Sequence, residues 1–134
     1  MIVEHSSLLA SAEARLLCER ILTMSHADQT EVLLIGTANQ LTRFARNQIH
    51  QNVAERNLEI RIRTVFGTQV GVATTNDTSE EALQRTVERA CDIAMTGPEN
   101  PDFNGLPSPD ISAIVQNSLS ERVIQCQAAE RARA

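Results

Sequence analysis

The sequence predicts an α+β fold: an antiparallel or mixed sheet of about four to five strands with two main flanking helices, a proline-rich arm and a C-terminal helix. Residues 57–65 (NLEIRIRTV) and 69–75 (QVGVATT) alternate along the chain, which is typical of strands with one buried face. Residues 7–24 and the stretch after Thr78 instead repeat apolar side chains every three or four positions, as helices do. Central strands flanked by helices favour an α+β sheet covered on one face.

The first helix is predicted over residues 7–24, with Ser6 or Ser7 as its cap. Its apolar face consists of Ala14, Leu17, Ile21 and Met24, widened by Leu9, Ala12 and Leu16. A short polar connection with His26 and Asp28 follows.

The second helix begins at a predicted capping box, in which Thr78 caps the helix and Glu81 reaches back to the backbone. It runs to about Met95 and ends at Gly97-Pro98. Its buried stripe is predicted to hold Leu83, Val87, Ala90 and Ala94.

The apolar run 30–36 (TEVLLIG) predicts a strand buried on both faces or the central strand of the sheet, and a turn is expected over 36–40. Leu41 to Phe44 and Gln48 to Val53 form two further short strands. Phe44 is at an even position whereas Ile49 and Val53 are at odd ones, so a bulge or tight turn is needed at 46–47.

The two alternating segments are predicted to form a hairpin around Gly67. In the first, Leu58, Ile60 and Ile62 point towards the core; in the second, Val70 and Val72 point inward, with Gly71 and Ala73 on the other face.

All four prolines lie in residues 97–110, which indicates a linker or an extended surface arm. Residues 118–134 are predicted to be helical, with a thin apolar stripe formed by Val123 with Ala128 or Gln127. We therefore expect an N-terminal α/β domain over residues 1–110 and a C-terminal helix over 111–134 that starts a following region.

Composition excludes several classes of protein. The formal net charge of -5 and the presence of only three aromatic residues, all Phe, argue against a nucleic-acid-binding module. Cys18, Cys91 and Cys126 are widely spaced, so neither a zinc knuckle nor a redox dithiol is indicated, and a reducing cytoplasm is expected. The N-terminus does not resemble a secretory signal, and the longest aliphatic run, 32–35, is far too short to cross a membrane.

Catalytic and cofactor motifs are missing from the sequence. It has no H-E-x-x-H, no P-loop, no G-x-G-x-x-G and no G-x-S-x-G. His5, His26 and His50 lie in a tail, a loop and a polar strip, so they do not assemble a metal site. Glu80-Glu81 is best explained as the acidic first turn of a helix.

The polar strip 42–52 (TRFARNQIHQN) is the most informative stretch for function. Five arginines lie between residues 41 and 63, where they outnumber the glutamates by three: Arg43, Arg46, Arg56, Arg61 and Arg63. They form either a patch for anionic ligands or a solvated sheet face paired with Glu55 and Glu59. Residue chemistry alone favours the solvated face, with His50 half-buried and Asn47 and Asn52 serving turn geometry.

This strip and the segments after it carry a family resemblance. The matching residues, in order, are 42–45, Asn47, 49–52, 58–63, Gly67, Gly71, 73–76, Leu83, Val87, Glu88, Ala90 and 106–109. The set resembles the N-terminal domain of the TldD/PmbA family, metallopeptidase-related proteins also called modulators of DNA gyrase.

The resemblance implies a zinc peptidase that cuts unstructured peptides and works as a homodimer or as paired TldD/PmbA-type subunits around a cavity. The N-terminal domain helps to shape that cavity and the subunit contact. In the TldD-like branch, zinc is held by an H-E-x-x-x-H helix later in the chain. This motif is absent here, so no catalytic or metal residue carries over, no cofactor is expected on this chain, and the chain is expected to be inactive alone.

The expected function is that of a non-catalytic domain, with Arg43, Asn47, His50 and Asn52 as candidate contacts to a peptide or partner. An alternative is a stand-alone binding module that pairs with a separate catalytic subunit. A nucleic-acid or gyrase-associated role is the third interpretation, against which the acidic charge argues.

Overall fold

The computed structural model describes residues 9–110 and 120–133. In these residues the element order is α1 (Ser11–Met24), β1 (Gln29–Ala45), β2 (Gln48–Phe66), β3 (Gln69–Thr75), α2 (Glu80–Thr96), α3 (Glu121–Ile124) and α4 (Ala128–Arg131). The predicted caps Ser6 and Ser7, the residue His5 and the segment 111–119 lie outside this description. The α+β class is confirmed.

The chain divides into two compact units. The core unit contains the described residues up to Thr37 together with Arg56–Pro107. The hairpin-end unit contains Ala38–Glu55 together with the described residues from Ser108 onward.

Among the described residues the sheet has three strands in the order β1-β2-β3, and the predicted four to five strands are not confirmed. The difference arises because the segments 30–36 and 41–44 belong to one long strand, and the predicted turn over 36–40 is extended. Hydrogen-bonded pairing with a neighbouring strand outweighs the weak local turn preference of Gly36 and Asn39. Gln48 to Val53 likewise belongs to the same strand as residues 57–65.

The prediction that residues 30–36 form a central or doubly buried strand was wrong. β1 is an edge strand, and Leu33 is 44% exposed. The central strand is β2, in which Ile60 and Ile62 are fully buried, as the alternation predicted.

The β2–β3 hairpin is confirmed, with Ile62 opposite Ala73 and Thr64 opposite Gly71. The predicted facing of β3 was wrong. Gly71 and Ala73 face the core, whereas Val72 is 42% exposed. The reason is a close approach of α2: a Cβ on Gly71 would overlap the backbone of Ala90 and lie 2.5 Å from the backbone nitrogen of Ala94. Only a strand face with small side chains admits a helix backbone at that distance.

The core lies between one face of the sheet and the two long helices. The buried members of its main cluster are Leu17, Ile21, Ile60, Ile62, Ala73, Leu83, Val87, Ala90 and Cys91. The predicted stripe of α2 is thus confirmed in full, since Ala94 is also buried. Leu9, which precedes α1, packs against the core, but Leu16 is 65% exposed and Ala12 is exposed, so the widened stripe was only partly right.

The cap of α2 is Ser79 and not the predicted Thr78. The Ser79 hydroxyl accepts a hydrogen bond from the Ala82 amide at 3.4 Å. The Ser79 amide donates to the carboxylate of Asp77 at 2.8 Å, so Asp77 takes the part that was predicted for Glu81. Gly97 ends the helix, as predicted.

The proline-rich segment is an extended arm, as predicted, with no helix or strand over 97–110. Within the core unit, the Asn100 amide donates to the Thr68 carbonyl at 3.2 Å. The Leu106 amide donates to Oε1 of Gln29 at 2.9 Å. These bonds hold the arm against the β2–β3 turn and the start of β1.

The C-terminal residues 120–133 do not form the single helix that was predicted. They form two four-residue helices, separated at 125–127. Val123, the main apolar residue of the predicted stripe, is 73% exposed. Too few apolar side chains are available here to stabilise a long helix by packing.

Thr64 offers a test of the core. Its side chain is fully buried, and its hydroxyl has no hydrogen-bond partner among the described residues. Thr64→Val keeps the shape and removes an unsatisfied polar group, so we expect a gain of about 1 kcal/mol in the free energy of unfolding, measured by urea titration. Thr30→Val is the control: the Thr30 hydroxyl lies 2.6 Å from that of Ser25, so its loss is expected to destabilise. A loss of stability for Thr64→Val would contradict the burial argument.

Candidate functional site

The hairpin-end unit is built around a two-residue turn between β1 and β2. Arg46 and Asn47 have positive φ angles of 51° and 59°. This is the conformation of the central residues in a type I′ turn, which matches the twist of the flanking strands. Asn adopts it readily, whereas Arg does so at a cost. The tight turn that the sequence required at this point is confirmed.

This geometry predicts that Arg46-Asn47→Asn-Gly stabilises the hairpin end. Asn-Gly is the pair that type I′ turns prefer, and the expected gain is about 1 kcal/mol. We expect about fivefold slower hydrogen exchange of the amides nearest the turn, with little change elsewhere. Asn47→Val should have the opposite effect, because a β-branched residue is strained at positive φ. Equal exchange in all three proteins would exclude a contribution from turn conformation.

A polar cluster lies on the hairpin further from the turn. The Thr42 hydroxyl donates to Oδ1 of Asn52 across the strands at 3.0 Å. Arg131 donates to the same Thr42 oxygen from Nε and Nη2, at 3.2 and 3.1 Å. Its Nη1 donates to Oε1 of Gln40 at 2.8 Å and to the Cys126 carbonyl at 2.6 Å. Asn52 is therefore part of a network that holds α4 on the hairpin.

The four candidate residues lie in the turn and in the two strands that flank it. Asn52 is bonded to Thr42 across the strands. Arg43 lies on β1 and His50 on β2, each three residues from the nearer turn residue. Asn47 lies in the turn. All four candidates are exposed, so the structure brings them to one end of the hairpin without converging them on one point.

The sequence analysis missed Arg131, which lies 89 residues from Thr42 along the chain. No local pattern points to it. It was one arginine among several in a segment predicted to be a single helix.

Three large apolar side chains are also exposed here. Leu41 is 44%, Phe44 61% and Ile49 49% exposed. Leu41 and Phe44 are three residues apart on β1 and so lie on opposite faces of the strand. Exposed apolar side chains are typical of surfaces that contact another molecule.

The arginines of the strip fall into two groups. Arg61 pairs with Glu59 at 2.8 Å and Arg63 with Glu31 at 3.0 Å, so these two belong to a paired sheet face. Within residues 9–110 and 120–133, no carboxylate lies within ion-pair distance of Arg43, Arg46 or Arg56. The expected pairing with glutamates thus accounts for part of the set only.

The described residues contain no group of three or more His, Cys, Asp or Glu side chains placed to hold a metal ion. In the same part of the chain, no helix has the length and hydropathy needed to cross a membrane.

Comparisons with known proteins place this geometry in a family. Residues 30–94 match the model for PmbA/TldA metallopeptidase domain 1, a span from β1 to α2. No curated protein gives a significant match. Among solved structures, TldE from Thermococcus kodakarensis is similar, with a TM-score of 0.62 and 16% identity over 73% of this chain. At that identity the likeness shows a shared fold.

The chain spans 22% of the length of that TldE protein. The matched region runs from the second residue of β1 through the hairpin end to Ala94, near the end of α2. Over residues 30–94 the chain therefore matches the N-terminal domain of the TldD/PmbA family of metallopeptidase-related proteins.

Proposed function

We propose that this chain acts as a non-catalytic domain of a TldD/PmbA-type zinc metallopeptidase that degrades unstructured peptides. In this proposal it shapes the peptide cavity and forms part of the subunit contact. The observation that carries it is the family match over residues 30–94, which includes the exposed hairpin end. The catalytic zinc belongs to another region or subunit, since the 134 residues contain no H-E-x-x-x-H.

The chemistry of the hairpin end supports contact with peptide. Arg43 has no ion-pair partner among the described residues, and its guanidinium suits carbonyl and carboxylate oxygens. His50 and Asn47 add exposed polar side chains at the same end of the hairpin. An extended peptide bound along a strand would present its backbone to such groups.

The exposed Leu41, Phe44 and Ile49 support the second part of the proposal. Apolar side chains that gain burial on association are the usual source of affinity in a subunit contact. The partner is a second copy of this chain or a related TldD/PmbA-type subunit.

The test is peptide turnover by the native assembly that contains this chain, with Arg43, Asn47 and His50 replaced by alanine. We expect turnover to fall about tenfold, because exposed polar contacts contribute up to about 1 kcal/mol each. The thermal midpoint should stay close to that of wild type, since all three side chains are exposed.

Arg15→Ala is the matched control, because Arg15 is 81% exposed on α1 and outside the hairpin end. Unchanged turnover in the triple variant would mean that these three side chains do not contact the peptide substrate and that the hairpin end has only a structural role. A loss of turnover in Arg15→Ala as well would point to a general effect of charge.

A stand-alone module that binds a separate catalytic subunit is the second candidate, favoured by the same exposed apolar residues. It predicts that the purified chain is monodisperse and forms a stable complex with a TldD-type subunit. A role with nucleic acid or gyrase would require steeply salt-dependent DNA binding, which a chain of net charge -5 does not favour.

A further inference from the structure

The hairpin end differs in charge from the rest of the chain. Residues 38–54 contain Arg43, Arg46 and His50 but none of the 17 acidic residues, although the formal net charge of the whole chain is -5. Within the described part of the chain, no ion pair or hydrogen bond engages the guanidinium of Arg43 or Arg46. Both residues are exposed. The hairpin end therefore presents two unused cationic groups to solvent.

The carboxylates that the chain or a contact places near the hairpin lie away from its turn. Glu55 is eight residues from the turn, which is about 26 Å along a strand. Glu130 is the neighbour of Arg131, which meets the hairpin at Thr42. Thr42 is itself four residues from the turn, or about 13 Å along β1. Both distances exceed the Debye length of about 8 Å at physiological ionic strength, so a ligand at the turn is affected mainly by the two arginines.

Arg46 is an unusual residue for its position. Its φ angle of 51° lies in the left-handed region, which Gly and Asn adopt readily and Arg adopts at a cost. No side-chain contact of Arg46 with another described residue offsets that cost. Backbone conformations that are unfavourable for the residue present cluster at functional sites. The Arg46 side chain does not stabilise the turn, and it is available to a ligand.

Two large apolar side chains flank the turn at equal distance. Phe44 is two residues before Arg46 and Ile49 is two residues after Asn47, and they are 61% and 49% exposed. A small inorganic anion on the arginines would leave this apolar surface in water. A peptide that carries both acidic and apolar side chains would cover it, and the burial would add to the affinity.

We propose that the hairpin end selects unstructured peptides that are acidic, with carboxylates on Arg43 and Arg46 and apolar side chains on Phe44 and Ile49. This inference rests on the peptide contact proposed above and names its substrate class. Unstructured segments combine low hydrophobicity with high net charge, so the sign of that charge is a property that a charged site distinguishes. The two arginines are three residues apart, about 10 Å along a strand, so carboxylates at every third residue of an extended peptide match them.

The test uses the full 134-residue chain and short fluorescein-labelled peptides, followed by fluorescence anisotropy. One peptide repeats Glu-Gly-Leu, and two comparison peptides carry Gln or Lys in place of Glu. We expect the Glu peptide to bind about tenfold more tightly than the Gln peptide, because each exposed ion pair contributes a few-fold. The Lys peptide should bind more weakly still. The preference for Glu should decrease as the ionic strength rises.

Arg46→Asn separates a binding role from a structural one. Asn suits the positive φ angle better than Arg, so this variant should keep or raise the thermal midpoint. Because it removes a cationic group, it should nevertheless lower the preference for the Glu peptide about threefold, whereas Arg46→Lys should retain most of it. Arg43→Gln with Arg46→Asn should abolish the preference. Arg15→Gln with Arg89→Gln is the matched control, since it makes the same change in net charge within the core unit and should leave the preference unchanged.

The outcomes separate this inference from the peptide contact on which it rests. Equal binding of the Glu and Gln peptides would overturn the inference and leave the peptide contact in place, whereas no binding of any of the three peptides would overturn both. A preference for Glu that survives the loss of both arginines, or an equal loss in the core-unit control, would also overturn the inference. Full displacement of the Glu peptide by inorganic phosphate at matched ionic strength would do the same, because it would show a simple anion site.

Discussion

Replacing Gly71 with valine is expected to separate α2 from the sheet and to destabilise the core unit by at least about 3 kcal/mol. A Cβ at this position would overlap the Ala90 carbonyl oxygen and lie 2.5 Å from the Ala94 nitrogen. Both are backbone atoms of a helix, so they cannot move aside as a flexible side chain would. The whole helix would have to shift, and the packing of Val87 would be lost with it.

The measurement is a urea titration followed by far-UV circular dichroism. Val72→Ala is the matched control, because Val72 is the neighbouring residue on the same strand and is 42% exposed. We expect Val72→Ala to change the free energy of unfolding by no more than about 0.5 kcal/mol. A Gly71→Val protein with the wild-type midpoint would show that α2 does not approach β3 as closely as described.

Replacing Leu83 with alanine is expected to lower the free energy of unfolding by about 2–5 kcal/mol. Leu83 is fully buried among residues of α1, α2 and the sheet, so truncation leaves a cavity that the surrounding core can only partly fill. Alanine has the higher helix propensity, so the loss cannot be attributed to the helix itself.

Ile93→Ala removes a similar apolar group from the same helix. Ile93 is 40% exposed, and we expect this variant to lose less than about 1 kcal/mol. Similar losses of unfolding free energy in the two variants would mean that burial of the side chain does not determine the size of the effect. The midpoints from the same urea titration make the comparison.

The elements that the sequence predicted well are those with a strong repeat. The stripe on α2 and the alternation in residues 57–65 were both right, because a helix or strand with one buried face must repeat its apolar residues at its own period. The turn at Arg46-Asn47 was found from a change of parity between Phe44 and Ile49, which no continuous strand permits.

The predictions that failed concern choices between two locally acceptable arrangements. Either face of β3 could have been the inner one, since valines and small residues both occur in cores. The close packing of α2 against the sheet requires small side chains, so Gly71 and Ala73 form the inner face of β3. Ser79 and Thr78 are both good caps, and the position of Asp77 beside the Ser79 amide decided between them.

The candidate site shows the same division. The sequence by itself indicated the family, the polar strip 42–52 and the absence of a zinc motif, because these depend on residue types in order. Only the tertiary structure decided that Asn52 is bonded to Thr42 and that Arg131 reaches the same hydroxyl. Contacts across 89 residues depend on how long strands and short helices pack, and no local pattern in a chain encodes that distance.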